Sequence, residues 1–241
     1  MKKKILLIIP AYNEEENIIK TCKSIDEYNK KNELKLDYVV INDGSKDSTP
    51  KILDENRINH IDLIHNLGIG GAVQTGYKYA LDNDYDIAIQ YDGDGQHDVS
   101  YVEKLIEPII NKNVNMTIGS RFIDKTSSQF KSSAARRIGI NLISFVIKLK
   151  TGVKIYDTTS GFRAVDKKII KIFAGSYPTE YPEPISTVKI LNNNFSVEEI
   201  PVGMKEREGG KSSINSWKTV YYMINVILSI LISKKGGRKI W

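Results

Sequence analysis

The feature that most constrains this chain is a recurring unit: a short apolar run, a polar turn, then a segment with apolar residues at helical spacing. Residues 4–9 (KILLII) set the pattern. An apolar run without alternation suits a parallel strand covered on both faces. The unit recurs with strands expected over residues 37–41, 61–64, 86–90 and 115–118, and helices over 14–28, 49–56, 72–81 and 99–110. Parallel neighbours need crossover connections, and helices supply them. The expected fold class is therefore α/β: a Rossmann-like, mostly parallel sheet with helices on both faces. Beyond residue 125 the rhythm loosens. A helix is expected over 132–150, a strand over 195–202, a loop with Gly and Ser over 206–213, and an amphipathic helix over 216–233.

The chain's 241 residues suffice for one large domain, or one domain with an appendage. Its single cysteine, Cys22, has no internal disulfide partner. The basic, then apolar, first nine residues read as a strand, because Pro10 and a polar stretch stand where a signal peptide has its small-residue cleavage site; a cytoplasmic start is expected. Charge is divided unevenly. Residues 1–124 hold 15 Lys/Arg and 21 Asp/Glu, whereas residues 125–241 hold 20 and 8. An acidic half joined to a basic half suggests an anionic partner: a polymer, a membrane surface or a phosphorylated substrate. Solvated lysines on helix faces are the plainer account of any one of these charges.

In an open α/β sheet, ligands bind beyond the carboxyl ends of the strands. Polar signals collect there: Pro10-Ala11-Tyr12-Asn13-Glu14 after the first strand, Asn42-Asp43-Gly44-Ser45 after the second, and His65-Asn66-Leu67-Gly68-Ile69-Gly70-Gly71 after the third. Asp92-Gly93-Asp94-Gly95-Gln96-His97-Asp98 follows the fourth, and Gly119-Ser120-Arg121 the fifth. Asp92 and Asp94, hinged by glycine, are spaced to converge on one hard divalent cation, with Gln96 as a further oxygen donor. The bland alternative is an Asp-Gly turn with a solvated acidic face. The glycine loop 68–71 opens a helix, where backbone N–H groups can face a phosphate. It is not the dinucleotide fingerprint, since position 73 is Val, and no phosphate-loop Gly-Lys-Ser/Thr occurs. In the basic half, Arg121, Arg136, Arg137, Arg163, Arg207 and Lys211 offer donors suited to phosphate.

Taken in order, IPAYNEEENI (9–18), VINDGSKDST (40–49), HNLGIGGAVQTGY (65–77), QYDGDGQHD (90–98), IGSRF (118–122), DTTSGFRA (157–164), YPEPI (181–185) and MKEREGGKSSI (204–214) resemble the family 2 glycosyltransferases of GT-A fold. Within them the chain is similar to the polyprenyl-phosphate sugar synthases of the dolichol-phosphate mannose synthase type. The resemblance implies that Pro10, Ala11, Tyr12, Glu14 and Asp43 hold the base and ribose of a nucleotide-sugar donor, with Gly71 in the glycine loop beside it. It implies that Asp92, Asp94 and Gln96 hold Mg²⁺ or Mn²⁺ against the diphosphate. Arg121, Arg207 and Ser213 match positions that contact phosphates, and Asp157 matches the acceptor-side aspartate; Asp94, Asp157 and Arg121 are the implied catalytic set. Ile69 stands where the family often has Lys. The implied organisation is a catalytic domain over 1–213, nucleotide-binding at 1–124 and acceptor-binding at 125–213, followed by a basic amphipathic helix at 214–241.

The implied reaction is metal-dependent, inverting transfer of a sugar, from UDP-glucose or UDP-N-acetylglucosamine, to polyprenyl phosphate. A hydroxyl of a lipid-linked or wall glycan is the alternative acceptor, and a catalytically silent sugar-nucleotide-binding subunit is a third reading; a nucleic-acid role fits the acidic motif face poorly. Many relatives carry transmembrane helices after this domain. Here the apolar run at 221–232 is about half of the roughly 20 residues a bilayer span needs. With Lys234, Lys235, Arg238 and Lys239 beside it, it reads as an interfacial helix at the inner face of the cell membrane. The helix at 132–150 is a second candidate for the surface. Packing on the sheet or in a homo-oligomer is the competing account of both, and a separate integral membrane partner is a further expectation.

Overall fold

The computed structural model describes residues 3–123, 134–203 and 216–233, with the side chains at 134–136 and 216–221 outside the description. Seven strands form one sheet: β1 (Ile5–Ala11), β2 (Asp37–Asn42), β3 (His60–Asp62), β4 (Ile87–Gln90), β5 (Met116–Ser120), β6 (Arg163–Asp166) and β7 (Val197–Pro201). Their order is β3-β2-β1-β4-β6-β5-β7. β6 is antiparallel to both β4 and β5, and every other pairing is parallel. The expected mostly parallel α/β sheet is thus observed, with one reversed strand that the apolar pattern did not signal.

All seven residues of β1 are buried, and they divide by parity. Leu6 and Ile8 join Val39 and Ile41 on one face of the sheet, while Ile5, Leu7 and Ile9 join Val40 on the other. That parity is the physical meaning of the unalternating run: both faces are cores. α1 (Ile18–Lys31), α2 (Thr49–Glu55) and α4 (Val102–Asn111) contribute to the second core. α3 (Gly68–Asp82), α5 (Ala134–Thr151), α6 (Lys167–Gly175), α7 (Pro182–Asn192) and α8 (Ser216–Ile232) contribute to the first. Gly76 of α3 lets that helix approach β1, since a Cβ there would lie 2.1 Å from Ile8 Cγ2. α6 starts where Asp166 caps it by accepting the Ile169 N–H at 2.9 Å.

One expectation needs correction. α3 begins at Gly68, so the glycine run lies inside the helix and not in a loop before it. On α5 and α8, the side chains buried against the protein include Ile140, Ile143, Ile147, Val226 and Ile230. Ile138, Leu142, Phe145 and Leu149 of α5, and Ile224, Leu228, Leu231 and Ile232 of α8, are exposed instead. Both helices are apolar on more than one side, so periodicity alone did not tell the inner face from the outer. The two pack together, with Lys150 Nζ donating to the Leu231 carbonyl at 2.9 Å.

Candidate active site

The sheet order brings the carboxyl ends of β1, β2, β4 and β5 to one edge, and the reversed β6 starts there. Its first residue, Arg163, pairs with Gln90 at the end of β4 and with Ile118 of β5. The segment 157–162 therefore arrives beside the loop that carries Asp92 and Asp94.

On the β1–β2 side, Pro10 and Ala11 end β1 in the core, and Tyr12 projects at 46% exposure. Asn13 takes a left-handed backbone (φ 56°); its N–H donates to Ser45 Oγ at 3.0 Å, and its Oδ1 accepts the Lys46 N–H at 2.8 Å. Glu14 donates its N–H to Thr49 Oγ1, while its Oε2 accepts from Asn17. The two loops are thus stitched into one platform. Asp43 is buried, and its Oδ1 accepts the Leu67 N–H at 2.7 Å. Burial pushes this carboxyl above its usual range, against the pull of the Leu67 and Gly68 N–H groups. Of the residue 68–71 N–H groups expected to face a phosphate, that of Gly68 is spent on Asp43 and on Asn66 Oδ1. Gly70 and Gly71 answer to packing: a Cβ at Gly70 would lie 2.3 Å from the Pro178 carbonyl oxygen, and one at Gly71 would lie 2.4 Å from Leu67 Cβ.

At the end of β4, Asp92 is partly exposed, with 30% of its side chain accessible. His97 Nε2 lies 2.9 Å from Asp92 Oδ2. Burial alone would raise the Asp92 carboxyl, but His97, Gln90 and Arg121 outweigh it and hold the group below the usual range. Asp94 Oδ1 accepts the Gln96 N–H at 3.1 Å. Gly161 from the β6 approach closes over Asp92, since a Cβ there would lie 2.9 Å from each of its carboxylate oxygens. Among the described residues no group of three or more His, Cys, Asp or Glu is placed to hold a metal ion. The donor set is two carboxylates on one turn. That fits a hard divalent cation completed by water and phosphate oxygens, as Mg²⁺ prefers, and does not make a closed protein cage.

Beyond β5, Arg121 and Asp157 form a buried pair whose side chains are 5% and 0% exposed. Arg121 Nε donates to Asp157 Oδ2 and Nη2 to Oδ1, both at 2.7 Å, and the Arg121 backbone N–H donates to Oδ2 at 3.1 Å. Arg121 Nη2 also reaches Thr159 Oγ1 at 3.0 Å. The expected acceptor-side aspartate is thus sealed behind the arginine. The Arg121 guanidinium carbon lies 5.3 Å from the centroid of the Phe122 ring, and that of Arg137, from α5, lies 4.0 Å from it. Arg207 and Ser213 lie outside the described residues.

Two carboxylates escaped the sequence reading. Glu199 of β7 accepts the N–H groups of Tyr156 and Asp157 at 2.7 and 2.8 Å, clamping the turn that carries Asp157. Burial raises its carboxyl, against those two donors. Glu183, in the first turn of α7, shares the Gln90 side chain with Asp92; burial raises it, with Arg163 opposing. Arg163 is 1% exposed and donates to the Glu183 carbonyl at 2.7 Å. An acidic residue in the quoted YPEPI, and another in the strand VEEIP, were the available signals.

Residues 6–173 match the sequence profile of "Glycosyl transferase family 2". A UDP-N-acetylglucosamine–dolichyl-phosphate N-acetylglucosaminyltransferase of Methanococcus voltae is 33% identical over 220 residues, covering 83% of this chain and 85% of that protein. A polyprenol monophosphomannose synthase of Mycolicibacterium smegmatis is 28% identical over 220 residues, covering 87% and 80%. Among solved structures, glucosyl-3-phosphoglycerate synthase of Mycobacterium tuberculosis superposes with a TM-score of 0.69 at 16% identity, covering 95% of this chain and 79% of that one. The fold is GT-A.

Proposed function

The chain belongs to glycosyl transferase family 2, and from that membership we propose that it moves a sugar from a nucleoside diphosphate donor to the phosphate of a polyprenol. That it is a glycosyltransferase follows from the family. The acceptor reading rests on one observation: a path of cationic and then apolar side chains leading away from Asp92. Arg121 is close enough to Asp92 to lower its pKa, Phe122 adjoins Arg121, and Arg137 covers Phe122. The same helix, α5, exposes Ile138, Leu142, Phe145 and Leu149, and α8, which packs against it, exposes Ile224, Leu228, Leu231 and Ile232. An anionic head on an apolar tail matches that order. The M. voltae and M. smegmatis relatives are named for dolichyl phosphate and polyprenol substrates, which supports the same choice.

The chemistry follows from the groups present. A phosphate acceptor is already an anionic nucleophile, so no general base is required. Its oxygen forms the new bond to the anomeric carbon as the bond to the donor diphosphate breaks, with inversion. The donor rests on the platform of Pro10, Ala11, Tyr12, Glu14 and Asp43, and its diphosphate faces Asp92, Asp94 and Gln96. A Mg²⁺ or Mn²⁺ ion, when bound there, neutralises charge on the departing diphosphate. A solved complex of the M. tuberculosis synthase contains Mn²⁺ and UDP, which supports a divalent ion and a uridine donor; the sugar is proposed to be N-acetylglucosamine or glucose. Arg121 supplies fixed positive charge, and Asp157 acts on it as a positioning residue. Arg207 and Ser213 are proposed to add phosphate contacts.

The exposed apolar faces are proposed to rest on the cytoplasmic leaflet, where the polyprenol tail lies. No described helix is long and apolar enough to cross a membrane. Burying a Phe or Leu side chain is worth about 1.5–3 kcal/mol, so Phe145→Ser with Leu228→Ser should weaken partition onto anionic vesicles by roughly 100-fold or more. Transfer itself is tested by incubating the purified chain with Mn²⁺, undecaprenyl or dolichyl phosphate and a panel of UDP- and GDP-sugars, then weighing the extracted lipid by mass spectrometry. A polyprenyl-phosphate sugar is expected with at least one donor. No lipid product from the whole panel, or product only on a glycan hydroxyl, overturns the reading.

A further inference from the structure

His97 lies just beyond the two cation-site carboxylates, and the transfer as derived makes no use of it. Its side chain is 3% exposed, with Nε2 2.9 Å from Asp92 Oδ2. An ionised carboxylate offers only lone pairs, so Nε2 carries the hydrogen and donates it. The ring is held by its neighbours. It stacks on Phe162 with centroids 4.8 Å apart at 23°, and Tyr91 meets it tilted at 5.7 Å. The Tyr91 hydroxyl donates to the His97 carbonyl at 2.7 Å, which fixes the backbone as well. Asp92 also accepts from Gln90, and only a glycine fits at 161, where a Cβ would lie 2.9 Å from each of its oxygens. A buried imidazole between aromatic rings is costly unless its polar atoms are used, and an apolar ring would fill the same space. What the imidazole adds is the N–H directed at Asp92.

We propose that His97 is a positioning residue whose Nε2–H holds Asp92 in the orientation that receives the divalent cation. This rests on the cation site assigned under the proposed function. Hydrogen-bond partners of metal-binding carboxylates are worth about 10–100-fold in metal affinity or activity. Without His97, Asp92 would lose a hydrogen bond that fixes it before the ion arrives.

The test is Mn²⁺ binding followed by electron paramagnetic resonance, on the full chain, with UDP and separately with GDP. His97→Phe keeps the aromatic stack and removes the donor; His97→Gln places an amide N–H near the lost Nε2. His97→Phe is expected to weaken Mn²⁺ binding about 10–100-fold. Its nucleotide affinity in EDTA should match that of the unsubstituted chain, and His97→Gln should recover most of the loss. Equal Mn²⁺ affinity in His97→Phe overturns the proposal and leaves the cation site standing. Failure of the unsubstituted chain to bind Mn²⁺ with either nucleotide overturns both. Should His97→Phe not fold, long-range ¹H–¹⁵N spectra of the unsubstituted chain still decide. They are expected to show the Nε2–H tautomer, and a bare Nε2 overturns the proposal.

Discussion

Asp157→Asn separates two accounts of that residue. In one the carboxylate acts on substrate; in the other it holds Arg121. The substitution is nearly isosteric, but it removes one charge of a pair whose side chains are 0% and 5% exposed. Both oxygens accept from Arg121, so an amide keeps one acceptor and turns an NH₂ toward the guanidinium. Breaking a buried pair from one side costs about 3–5 kcal/mol, because the remaining charge stays buried without its counter-ion. For a domain of this size each kcal/mol is worth about 2 °C, which puts the fall in Tm at roughly 6–10 °C by calorimetry. Adding Arg121→Met removes the stranded charge, so the double variant should cost less than the sum of the two single ones. If Asp157→Asn melts within about 1 °C of the unsubstituted chain and still loses transfer, the carboxylate works directly on substrate and the pairing argument fails.

Asp94→Asn should lower transfer by more than about 100-fold with Mn²⁺ restored after chelation, since even indirect contacts at metal sites are worth 10–100-fold; its melting temperature should stay close to that of the unsubstituted chain. Glu199→Gln can satisfy only one of the Tyr156 and Asp157 N–H groups; Tyr156 is exposed to water, whereas leaving the N–H of the buried Asp157 unpaired costs about 1–3 kcal/mol. The folded chain binds the Glu199 proton more tightly than the unfolded chain, so between the ordinary Glu value and the raised one its contribution to stability falls as pH rises. Denaturant titrations across that window should lose this component in Glu199→Gln; an unchanged pH slope would refute it. Gly76→Ala should cost about 1–3 kcal/mol by urea unfolding, because its Cβ would fall 2.1 Å from Ile8 Cγ2, and the cost should vanish in an Ile8→Ala background.

The first half of the chain was legible because each strand there is a local apolar run ending in a polar loop. β1, β2 and β4 lie within a residue or two of their expected ends, and the Asp92–Asp94 turn sits at the expected edge. β6 was not legible: its four residues, RAVD, are too short and too polar at the ends, and tertiary pairing between β4 and β5 makes them a strand. α6 carried a usable signal in Asp166 followed by Ile169, Ile170 and Phe173 at helical spacing. α7 follows a left-handed Tyr181 and carries two prolines, which masked it. The polar loops showed where a site belongs but not who bonds to whom. That Asp43 would spend its Oδ1 on Leu67, or Asp157 both its oxygens on Arg121, depends on contacts 24 and 36 residues apart in sequence.

A cation and a nucleotide are proposed to meet at the end of β4. Crystals soaked with Mn²⁺ and a sugar nucleotide, measured for anomalous scattering, put that to the most direct test. The expected result is one manganese peak between Asp92 and Asp94, with the diphosphate against it and the base over the β1–β2 loops. A nucleotide bound elsewhere, with both carboxylates turned to solvent, would contradict the account.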